Sequence, residues 1–527
     1  MNLLKFEKNY FKKKWTNRIS VALVFPNYYE LAMSNLGYLY VYQRLNTFSH
    51  IVCERVCLPK GNELPVSVES NRPLKDFDVI LTSISFELDY PNLVKMLNLS
   101  GINPLAKERD EIVIAGGIAL WLNPKPLYKF VDAFVLAEWE AIEEDFIKTL
   151  SNYFYSKELL LSKLNEYPYV WCPQLEYEKK VKVEKKYPLE TPPLSYVLSE
   201  KTEFKNTYLV EVARGCGMGC RFCAAGYVYR PPRRYSKAKI SEVFNTIPPG
   251  SKVGIIGFEF ANKTEVISTC KKLLEKDCKL GFSSLRLDTV DPDFFELLKH
   301  TKSIAIAPET GSEKLKKVLN KDISEEKVLE VLKLLKEFGL KSVKLYFILG
   351  LPLEEKEDLE ATIRFVKSLL SFKLGIKLAF SFSFLVPKPH TPFQWAKFLD
   401  VKELEEKKKF VLKGLKHDKN LRFENPKDAL LQTLLIRGDE KIAELVLLLA
   451  KGIKLKRALR ELNIPLKKYL SPEEDPEFEF PWDFINTWVS KEFLWKEWQR
   501  AKDLKLGIRC KPFECKACSA CSQILVL

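Results

Sequence analysis

Three cysteines, Cys216, Cys220 and Cys223, stand in the segment ARGCGMGCRFCAAG with the spacing C-x3-C-x2-C. Three thiolates on one short, glycine-rich loop can ligate three irons of a 4Fe–4S cluster. The fourth iron would then lack a protein ligand and could chelate a small molecule. A zinc site would normally bring a fourth Cys or His, and none lies nearby in the sequence. The alternatives to a cluster are a zinc site or unrelated buried thiols.

A second cysteine group lies in the segment CKPFECKACSACS, with the spacing C-x4-C-x2-C-x2-C. Its members are Cys510, Cys515, Cys518 and Cys521. Four thiolates form a complete site, and the C-x2-C-x2-C run is similar to ferredoxin-type ligation. We expect a second iron–sulfur cluster that relays an electron or touches substrate; a zinc site and a purely structural role are the alternatives. The other cysteines stand in apolar or helical contexts and are expected to be buried core residues: Cys53, Cys57, Cys172, Cys270 and Cys278.

The elements around the first cysteine group predict a barrel or part-barrel. The group follows a strand candidate, TYLVEVA, which begins a regular alternation of strands and helical stretches. In such a fold the chemistry sits at the carboxyl ends of the strands. The six strand candidates span 207–213, 252–258, 279–284, 303–307, 341–348 and 376–384.

Two loops of this region carry residues that could serve a reaction. His390, in VPKPHTPFQW after the sixth strand candidate, could donate or accept a proton or simply hydrogen-bond its own loop. The segment RPPRRYSK carries three arginines and a lysine just beyond the first cysteine group, and arginines there could bind a phosphate or carboxylate. A solvated basic loop is the alternative. Its charged residues are Arg230, Arg233, Arg234 and Lys237.

The rest of the chain divides by composition. Residues 18–152 alternate strands and helices, which predicts an open parallel sheet with right-handed crossovers. Its strands are expected in ISVALVFP, FDVILTSIS, EIVIAGGIA and DAFVLAE, with Ser34 capping the first long helix. Residues 153–205 are charged and Pro-rich and predict a linker with a short hairpin. The barrel is expected at 206–400, a mainly helical region at 401–500 and the cysteine-rich tail at 501–527.

Composition describes an ordinary globular protein. The chain has 527 residues, 46% of them hydrophobic and 29% charged, which excludes wholesale disorder and fibrous repeats. No signal peptide and no apolar run long enough to cross a membrane is visible, so we expect a cytoplasmic protein without membrane contact. The net charge of +15 favours a polyanionic partner such as RNA, although Lys and Glu enrichment of a thermophile-like surface is an alternative.

The first cysteine group, with Phe222 immediately before Cys223, resembles that of the radical S-adenosylmethionine superfamily. The resemblance implies that the open iron binds S-adenosylmethionine, and that an electron from a flavodoxin or ferredoxin cleaves it to a 5′-deoxyadenosyl radical. It also implies cofactor contacts at several strand ends: the ribose and amino acid part near Glu309, Gly311 and Ser312, the adenine near Gly350, and an inward position for Glu259 after the second strand.

Longer stretches resemble the radical S-adenosylmethionine proteins that carry an N-terminal cobalamin-binding domain. They include SNLG, AGG, APETGS, KLYFILGLPLE, VPKPHTPFQW and PWDFINTWVSKEFL, and the resemblance covers nearly the whole chain. It implies that Ser83, Ser85, Gly116, Gly117 and Glu138 lie in the cobalamin-contacting loops.

The N-terminal domain departs from that family in its cobalt-binding motif. The usual D-x-H-x-x-G is replaced by the six residues 27–32, NYYELA, so the lower axial His is absent. The domain is therefore expected to hold cobalamin without a protein ligand or to bind substrate instead. A generic Rossmann-like structural domain is the third alternative.

These features predict a radical S-adenosylmethionine enzyme, with cobalamin-dependent methyl transfer to RNA or another macromolecule as the candidate reaction. One alternative is a methylthiotransferase-like enzyme. Enzymes of that class usually carry three cysteines in the N-terminal domain, whereas this domain has only Cys53 and Cys57. The other alternative is a non-catalytic iron–sulfur electron-transfer or RNA-binding scaffold.

Overall fold

A computed structural model describes residues 2–257, 264–282, 292–298, 301–372 and 375–524 of the chain. The fold is a mixed α/β structure with two regions of parallel sheet followed by a mainly helical region. The expected fold class is thereby confirmed. Among the described residues, none of the helices is both long and apolar enough to cross a membrane.

The N-terminal region contains a six-stranded open sheet in the order β2-β1-β3-β4-β5-β6. The first five strands are parallel and the sixth is antiparallel to β5. The strands are β1 Ile19–Phe25, β2 Ile51–Cys57, β3 Val79–Ser83, β4 Val113–Gly116, β5 Ala133–Val135 and β6 Val170–Trp171. The main helices are α1 Leu36–Thr47, α2 Tyr90–Leu99, α3 Trp139–Tyr153 and α4 Lys157–Asn165, with short helices at Tyr29–Ala32 and Ile118–Leu122.

Strand β2 is missing from the sequence expectation because charged residues interrupt its apolar run. Arg55 lies in the middle of the strand, yet its side chain is fully buried. Its guanidinium donates to Glu7 at 2.7 Å and to Glu69 at 2.7 Å, which supplies the counter-charge that a buried arginine needs. Both partners are distant in sequence or lie outside the strand, so no local pattern reveals them.

The first long helix is capped by Asn35 and not by Ser34, so the expected cap is wrong. Asn35 Oδ1 accepts a hydrogen bond from Tyr38 N at 2.9 Å, as an N-cap side chain does. Ser34 is one residue too early, and its hydroxyl hydrogen-bonds Thr202 Oγ1 at 2.5 Å.

Residues 153–205, expected as a linker, contribute α4 and β6 to the N-terminal sheet region. Their two further short strands do not form the expected hairpin. Val181–Lys182 pairs with Ile485–Asn486, and Leu198–Ser199 pairs with Glu7–Lys8. This segment therefore joins parts of the chain that are far apart in sequence.

The central region has seven parallel strands, which within the described ranges form two sheets and no closed barrel. The sheets are β7-β8-β9 and β10-β11-β12-β13. All six expected strands are present, and β13 is an additional strand from the region expected to be helical. The strands are β7 Thr207–Glu211, β8 Lys252–Ile256, β9 Lys279–Phe282, β10 Ser303–Glu309, β11 Ser342–Leu349, β12 Lys377–Phe384 and β13 Leu421–Phe423. The helices are α5 Lys237–Asn245, α6 Thr264–Glu275, α7 Glu313–Leu319, α8 Glu325–Glu337 and α9 Lys356–Ser371.

The C-terminal helices fold back over both sheet regions. Helix α12 packs on α2 of the N-terminal region, and α15 packs on α7 beside the first cysteine group. Apolar side chains such as Leu97 and Val446 share one buried cluster across the first of these contacts. The helices are α10 Val401–Gly414, α11 Pro426–Arg437, α12 Lys441–Ala450, α13 Leu455–Glu461, α14 Leu466–Leu470 and α15 Lys491–Lys502.

Candidate active site

The first cysteine group lies on a loop that follows β7, at the carboxyl end of the first central strand. We call residues 215–226 the cluster loop. Gly215 opens it with φ of 81°, and a Cβ there would lie 2.8 Å from the Tyr229 carbonyl oxygen, so only glycine fits. Cys216, Cys220 and Cys223 are each partly exposed. The loop therefore presents its thiols at a strand end, as the sequence predicts.

Cys223 lies among groups that act on its thiol in both directions. Burial, with a contribution from Cys220, raises the pKa of Cys223 above its ordinary value, and the backbone N–H groups of Gly226 and Ala225 and the Lys321 ammonium oppose this rise. Hydrogen bonds and cations of this kind stabilise the anionic sulfur that a metal requires. Among the described residues, no three His, Cys, Asp or Glu side chains converge on a single metal-ion position. A 4Fe–4S cluster binds each thiolate through a separate iron, so its ligands need no common centre.

Asn320 holds the cluster loop in place from the end of α7. It adopts φ of 56°, a left-handed conformation that Asn tolerates at helix ends. Its Nδ2 donates to the carbonyls of Met218 and Gly219 at 3.3 and 3.0 Å, and its Oδ1 accepts from Gly507 N at 2.8 Å. One side chain thus ties the cluster loop to the chain that leads into the C-terminal cysteines.

Arg221 is the second residue that connects the cluster loop to the C-terminal region. Its side chain is fully buried, and its Nη2 lies 3.1 Å from Glu497 Oε2 on α15. The same guanidinium donates to the carbonyls of Lys317 and Lys505 at 2.7 and 2.8 Å. Neither Asn320 nor Arg221 stood out in the sequence, because both act through contacts to residues far along the chain.

The four C-terminal cysteines lie against the cluster loop. Cys510 N donates to the Gly217 carbonyl at 2.8 Å. Backbone N–H groups point at two of the sulfurs: Phe513 N lies 3.3 Å from Cys521 Sγ, and Ala517 N lies 3.4 Å from Cys515 Sγ. Burial raises the pKa of Cys510 to about 11, and the other three thiols act on it in the same direction while Arg230 opposes them. The four sulfurs therefore share one locality.

Glu309 lies at the carboxyl end of β10, on the side of the cluster loop. Its φ of 69° is unusual for a residue other than glycine, and such strain tends to occur at functional sites. Its Oε1 accepts from Lys321 Nζ at 2.7 Å, and Lys321 is the cation that acts on Cys223. The sequence did not single out Lys321.

The neighbouring residues of the same strand end have structural partners. Ser312 caps α7 and its Oγ donates to Asp358 at 2.5 Å. A Cβ at Gly311 would lie 2.7 Å from the Ala361 carbonyl oxygen, so close packing requires glycine. Gly350 has φ of 77°, and its N donates to Glu354 at 3.0 Å. Phe222 packs partly buried against an aromatic cluster, and Glu259 lies outside the described residues.

His390 is buried and its ring is neutral. Burial and the nearby Lys185 lower its pKa to about 3. Its backbone N donates to Gln394 Oε1 at 3.1 Å, while its buried Nε2 has no hydrogen-bond partner among the described residues. At pH 7 the ring can accept a proton only at considerable cost, which disfavours the proton-donor role considered from the sequence.

The basic segment RPPRRYSK, residues 230–237, is less exposed than a phosphate-binding loop would be. Arg230 and Arg233 are buried, whereas Arg234 and Lys237 are exposed. Both Arg233 Nη atoms donate to Glu138, at 2.6 and 2.7 Å. Two of the four predicted charges are therefore unavailable to an external ligand.

A cavity of about 530 Å³ separates the carboxyl edge of the N-terminal sheet from the cluster loop. We call it the interdomain cavity. The predicted residues Ser83, Ser85, Gly116, Gly117 and Glu138 all line it, and so does Gly215, immediately before Cys216. Five aromatic residues contribute to its walls: Tyr40, Trp121, Trp139, Phe146 and Tyr229.

Two residues explain the shape and the chemistry of this cavity. Gly117 has φ of 117°, and a Cβ there would lie 2.3 Å from the Ile84 carbonyl oxygen, so the loop closes only with glycine. Tyr29 occupies the position of the absent axial His. It is buried away from the cavity, where its hydroxyl binds Glu7 and lies 2.9 Å from Ser199 Oγ. The structure thus offers an aromatic cavity without a side-chain ligand from this position.

Glu138 joins the cavity wall to the cluster strand. It accepts from Arg233 and forms a second ion pair with Arg214 at 3.1 Å. Arg214, next to Gly215, also pairs with Glu140 at 2.8 Å and Glu211 at 2.5 Å. Burial acts to raise the pKa of Glu138, but the two arginines outweigh it and lower that pKa to about 2. These ion pairs fix the N-terminal region to the loop that carries the cysteines.

Replacing Glu138 by Gln should lower the free energy of unfolding at pH 7 by about 3–5 kcal/mol, because it leaves the buried Arg233 without its carboxylate partner and removes one of the three carboxylates that pair with Arg214. Urea unfolding measures the change. The folded pKa of about 2 lies below the ordinary value of about 4.3, so the wild-type advantage is fully present above the ordinary value. It should shrink as pH falls from there to about 2.

The control for this experiment is Glu492→Gln. Glu492 forms an exposed pair with Lys496 on α15, and an exposed pair of this kind contributes less than about 0.5 kcal/mol. An equal, small effect of both substitutions would contradict the role assigned to Glu138.

Two family models match the chain. The model described as "Radical SAM proteins, N-terminal" matches residues 37–173, and the model described as "Radical SAM superfamily" matches residues 210–366. The first range covers most of the N-terminal sheet, and the second contains the cluster loop and the strand end with Glu309.

Three curated proteins show the range of similarity. An uncharacterized protein of Methanocaldococcus jannaschii is 31% identical over 474 residues, which cover 86% of this chain and 97% of that protein. An uncharacterized methyltransferase of Pyrococcus horikoshii is 26% identical over 315 residues, 54% of this chain and 63% of that protein. A tRNA-2-methylthio-N(6)-dimethylallyladenosine synthase of Buchnera aphidicola is 24% identical over 269 residues, 47% of this chain and 60% of that enzyme.

Among solved structures, the cobalamin-dependent S-adenosylmethionine radical enzyme OxsB with aqua-cobalamin and S-adenosylmethionine bound aligns with a TM-score of 0.49 and 17% identity. The alignment covers 85% of this chain and 70% of that chain. The near full-length relative, the two family models and the cysteine spacing agree with one another, and they exclude a non-catalytic scaffold. This chain belongs to the radical S-adenosylmethionine superfamily of enzymes, and that membership implies a 4Fe–4S cluster and S-adenosylmethionine as its cofactors.

Proposed function

We propose that the protein cleaves S-adenosylmethionine reductively at a cluster held by Cys216, Cys220 and Cys223. The observation that carries this proposal is the placement of the three thiols on one loop at the carboxyl end of β7, beside Glu309 and Lys321. When bound, the cluster supplies the electron that breaks the sulfonium bond. The chain's own residues hold the loop, stabilise the thiolates and close the surrounding space. The deciding measurement is 5′-deoxyadenosine release by the anaerobically reconstituted protein.

The reaction that the interdomain cavity supports best is cobalamin-dependent methyl transfer. The cavity has aromatic walls and reaches Gly215, so a ligand in it lies next to the cluster loop. Its volume of about 530 Å³ is within the range for small-molecule and cofactor sites, and would take one portion of a corrinoid. Ser83, Ser85, Gly116 and Gly117 would line that portion. Because Tyr29 points away, cobalamin would bind without an axial ligand from this position.

A methylthiotransferase-like reaction is the second candidate, because curated relatives include enzymes that bear that name. The three cysteines of the N-terminal sheet region do not favour it. Cys53 and Cys57 belong to β2 at one edge of the sheet, whereas Cys172 follows β6 at the opposite edge, so the three thiols are not placed to ligate one additional cluster.

RNA is the proposed macromolecular substrate, on the net charge of +15 and the tRNA-modifying relative. The affinity for tRNA should fall with salt, with a log–log slope steeper than about −2 for three or more phosphate contacts. A filter-binding titration measures it. Arg234→Gln with Lys237→Gln should reduce the slope by about one to two, whereas exposed Lys456→Gln on α13 serves as the matched control. A slope near zero would remove RNA from the proposal.

The C-terminal cysteines are proposed to hold a second iron–sulfur cluster, with a zinc site as the alternative. Two backbone N–H···S contacts and the shared locality of the four thiols support a metal centre.

A flavodoxin or ferredoxin is the proposed electron donor. We place the protein in the cytoplasm, where reducing conditions keep clustered thiols available for metal.

A further inference from the structure

Two buried cations, Lys185 and Arg230, lie between the two cysteine groups. Each residue is only 2% exposed, and neither forms an ion pair with a carboxylate of the described residues. Lys185 Nζ donates to the carbonyls of Arg230 and Thr487 at 2.8 and 2.9 Å and lies 4.7 Å from the centre of the Trp488 ring. Neutral oxygens compensate a buried ammonium only in part. The carboxylate of Glu138 acts on Lys185 as a counter-charge, whereas Arg230 has no carboxylate ion-pair partner among the described residues.

Arg230, whose carbonyl accepts from Lys185, has a side-chain donor atom without a hydrogen-bond partner among the described residues. Its Nε donates to the Gly226 carbonyl at 2.7 Å, at the end of the cluster loop. Its plane lies over the rings of Tyr227 and Phe493, at 4.7 and 5.2 Å from their centres. Its Nη2 is buried without a hydrogen-bond partner among the described residues. This donor lies where a Cβ on Gly219 would approach it at 3.3 Å.

The groups that face these cations from the tail are thiols. Burial lowers the pKa of Arg230, but Tyr227, Cys518 and Cys510 raise it above its ordinary value. Burial and Arg233 lower the pKa of Lys185 well below its ordinary value, whereas Glu138 and then Cys518 act to raise it. Four thiolates around a 4Fe–4S cluster carry a net negative charge, which would supply the counter-charge that Arg230 lacks and would add to that of Glu138 at Lys185.

A backbone hydrogen bond joins the cysteine-rich tail to the cluster loop. Cys510 N donates to the carbonyl of Gly217, the residue after Cys216. A single hydrogen bond therefore links the backbone of one predicted ligand to the neighbour of another. Asn320 adds a second bridge between Gly219 and Gly507.

We propose that Cys510, Cys515, Cys518 and Cys521 hold an iron–sulfur cluster that passes single electrons to the cluster loop, with Lys185 and Arg230 as its buried counter-ions. The inference rests on the proposed function. A low-potential one-electron donor such as reduced flavodoxin loses one electron to the tail cluster. The tail cluster then returns to its oxidised state as the catalytic cluster gains that electron, and no bond forms or breaks in the relay.

The first experiment isolates the tail cluster in the full chain with Cys216, Cys220 and Cys223 replaced by Ala. After anaerobic reconstitution we expect about four irons per chain and an electron paramagnetic resonance signal on reduction. In this background, Lys185→Met and Arg230→Met should move the midpoint potential to more negative values, because a lost cation makes electron addition less favourable. Arg230→Lys should restore the potential.

Lys182→Met is the matched control, since Lys182 lies three residues before Lys185 and faces the same Trp488 ring at 5.6 Å but is only partly buried. The midpoint potential of the Lys182→Met variant should equal that of the triple-Ala background protein. Zinc without iron bound to the tail cysteines would overturn the assignment of an iron–sulfur cluster. A bound iron–sulfur cluster whose potential is the same in both Met variants would overturn the counter-ion assignment.

The second experiment separates the relay from the catalytic function. In the otherwise unaltered chain, Cys515→Ala with Cys518→Ala should lower 5′-deoxyadenosine release with reduced flavodoxin at least tenfold more than release with dithionite, which reduces the catalytic cluster directly. Equal rates with flavodoxin in the variant and the parent would overturn the relay. Absence of release by the parent with dithionite would instead overturn the proposed function.

Discussion

Replacing Cys216, Cys220 and Cys223 together by Ala should reduce 5′-deoxyadenosine formation to the background seen without protein. The reason is that these thiolates are the proposed ligands of the cluster that reduces S-adenosylmethionine, so their loss removes the electron source and the open iron at once. The variant is reconstituted anaerobically, given dithionite and S-adenosylmethionine, and assayed for 5′-deoxyadenosine by chromatography. Iron content should fall by about four per chain in the same samples.

The control removes the same number of thiols from the core. Cys53, Cys270 and Cys278 are buried, and replacing all three by Ala should cost stability but leave the iron content and the cleavage reaction in place. Cleavage retained by the Cys216, Cys220 and Cys223 variant would contradict the proposed function. Loss of iron in the core variant would show that thiol number and not position governs the result.

Anaerobically purified protein should retain about one cobalamin per chain after desalting, in a form with no nitrogen ligand from the chain. The expectation follows from the interdomain cavity and from Tyr29, whose hydroxyl is hydrogen-bonded to Glu7 and Ser199 and which does not line the cavity. The measurement is the cob(II)alamin absorbance, together with an electron paramagnetic resonance spectrum that lacks splitting from a protein nitrogen.

Ser83→Phe should abolish cobalamin retention, because a phenyl ring at the end of β3 would occupy the cavity that Ser83 lines. Tyr29→Phe should retain cobalamin, since that side chain is not part of the cavity wall. Absence of cob(II)alamin in the desalted parent protein would count against methyl transfer through cobalt. Retention by Ser83→Phe would place the ligand elsewhere on the protein.

Local patterns were sufficient for most of the central fold. The strands β7 to β12 are apolar segments separated by amphipathic helices, and both signals are local, so their order could be read directly. Strand β2 could not, because Arg55 is acceptable in its core only through Glu7 and Glu69. Strand β13 was hidden for a different reason, since three residues between two helices leave too short a pattern to recognise.

The candidate site shows the same division. The cysteine spacing identified both thiol groups, and the loops of the N-terminal region identified five residues that line one cavity. The spacing of residues in the sequence could not show that Ser312 caps α7 and donates to Asp358, or that Arg233 forms an ion pair with Glu138. Each of these partners is contributed by another element, and a side chain's partner depends on which elements pack together.

The sequence by itself determined the superfamily, the three thiols that would hold the catalytic cluster and the missing axial His, because each depends on residue type at a fixed spacing. Tertiary structure decided how the two cysteine groups are related. Nearly three hundred residues of sequence separate Cys216 from Cys510, yet Cys510 N donates to the carbonyl next to Cys216. Packing of α15 on α7 and the ties through Asn320 and Arg221 bring them together. Such contacts arise from long-range burial and ion pairing, which no local pattern encodes.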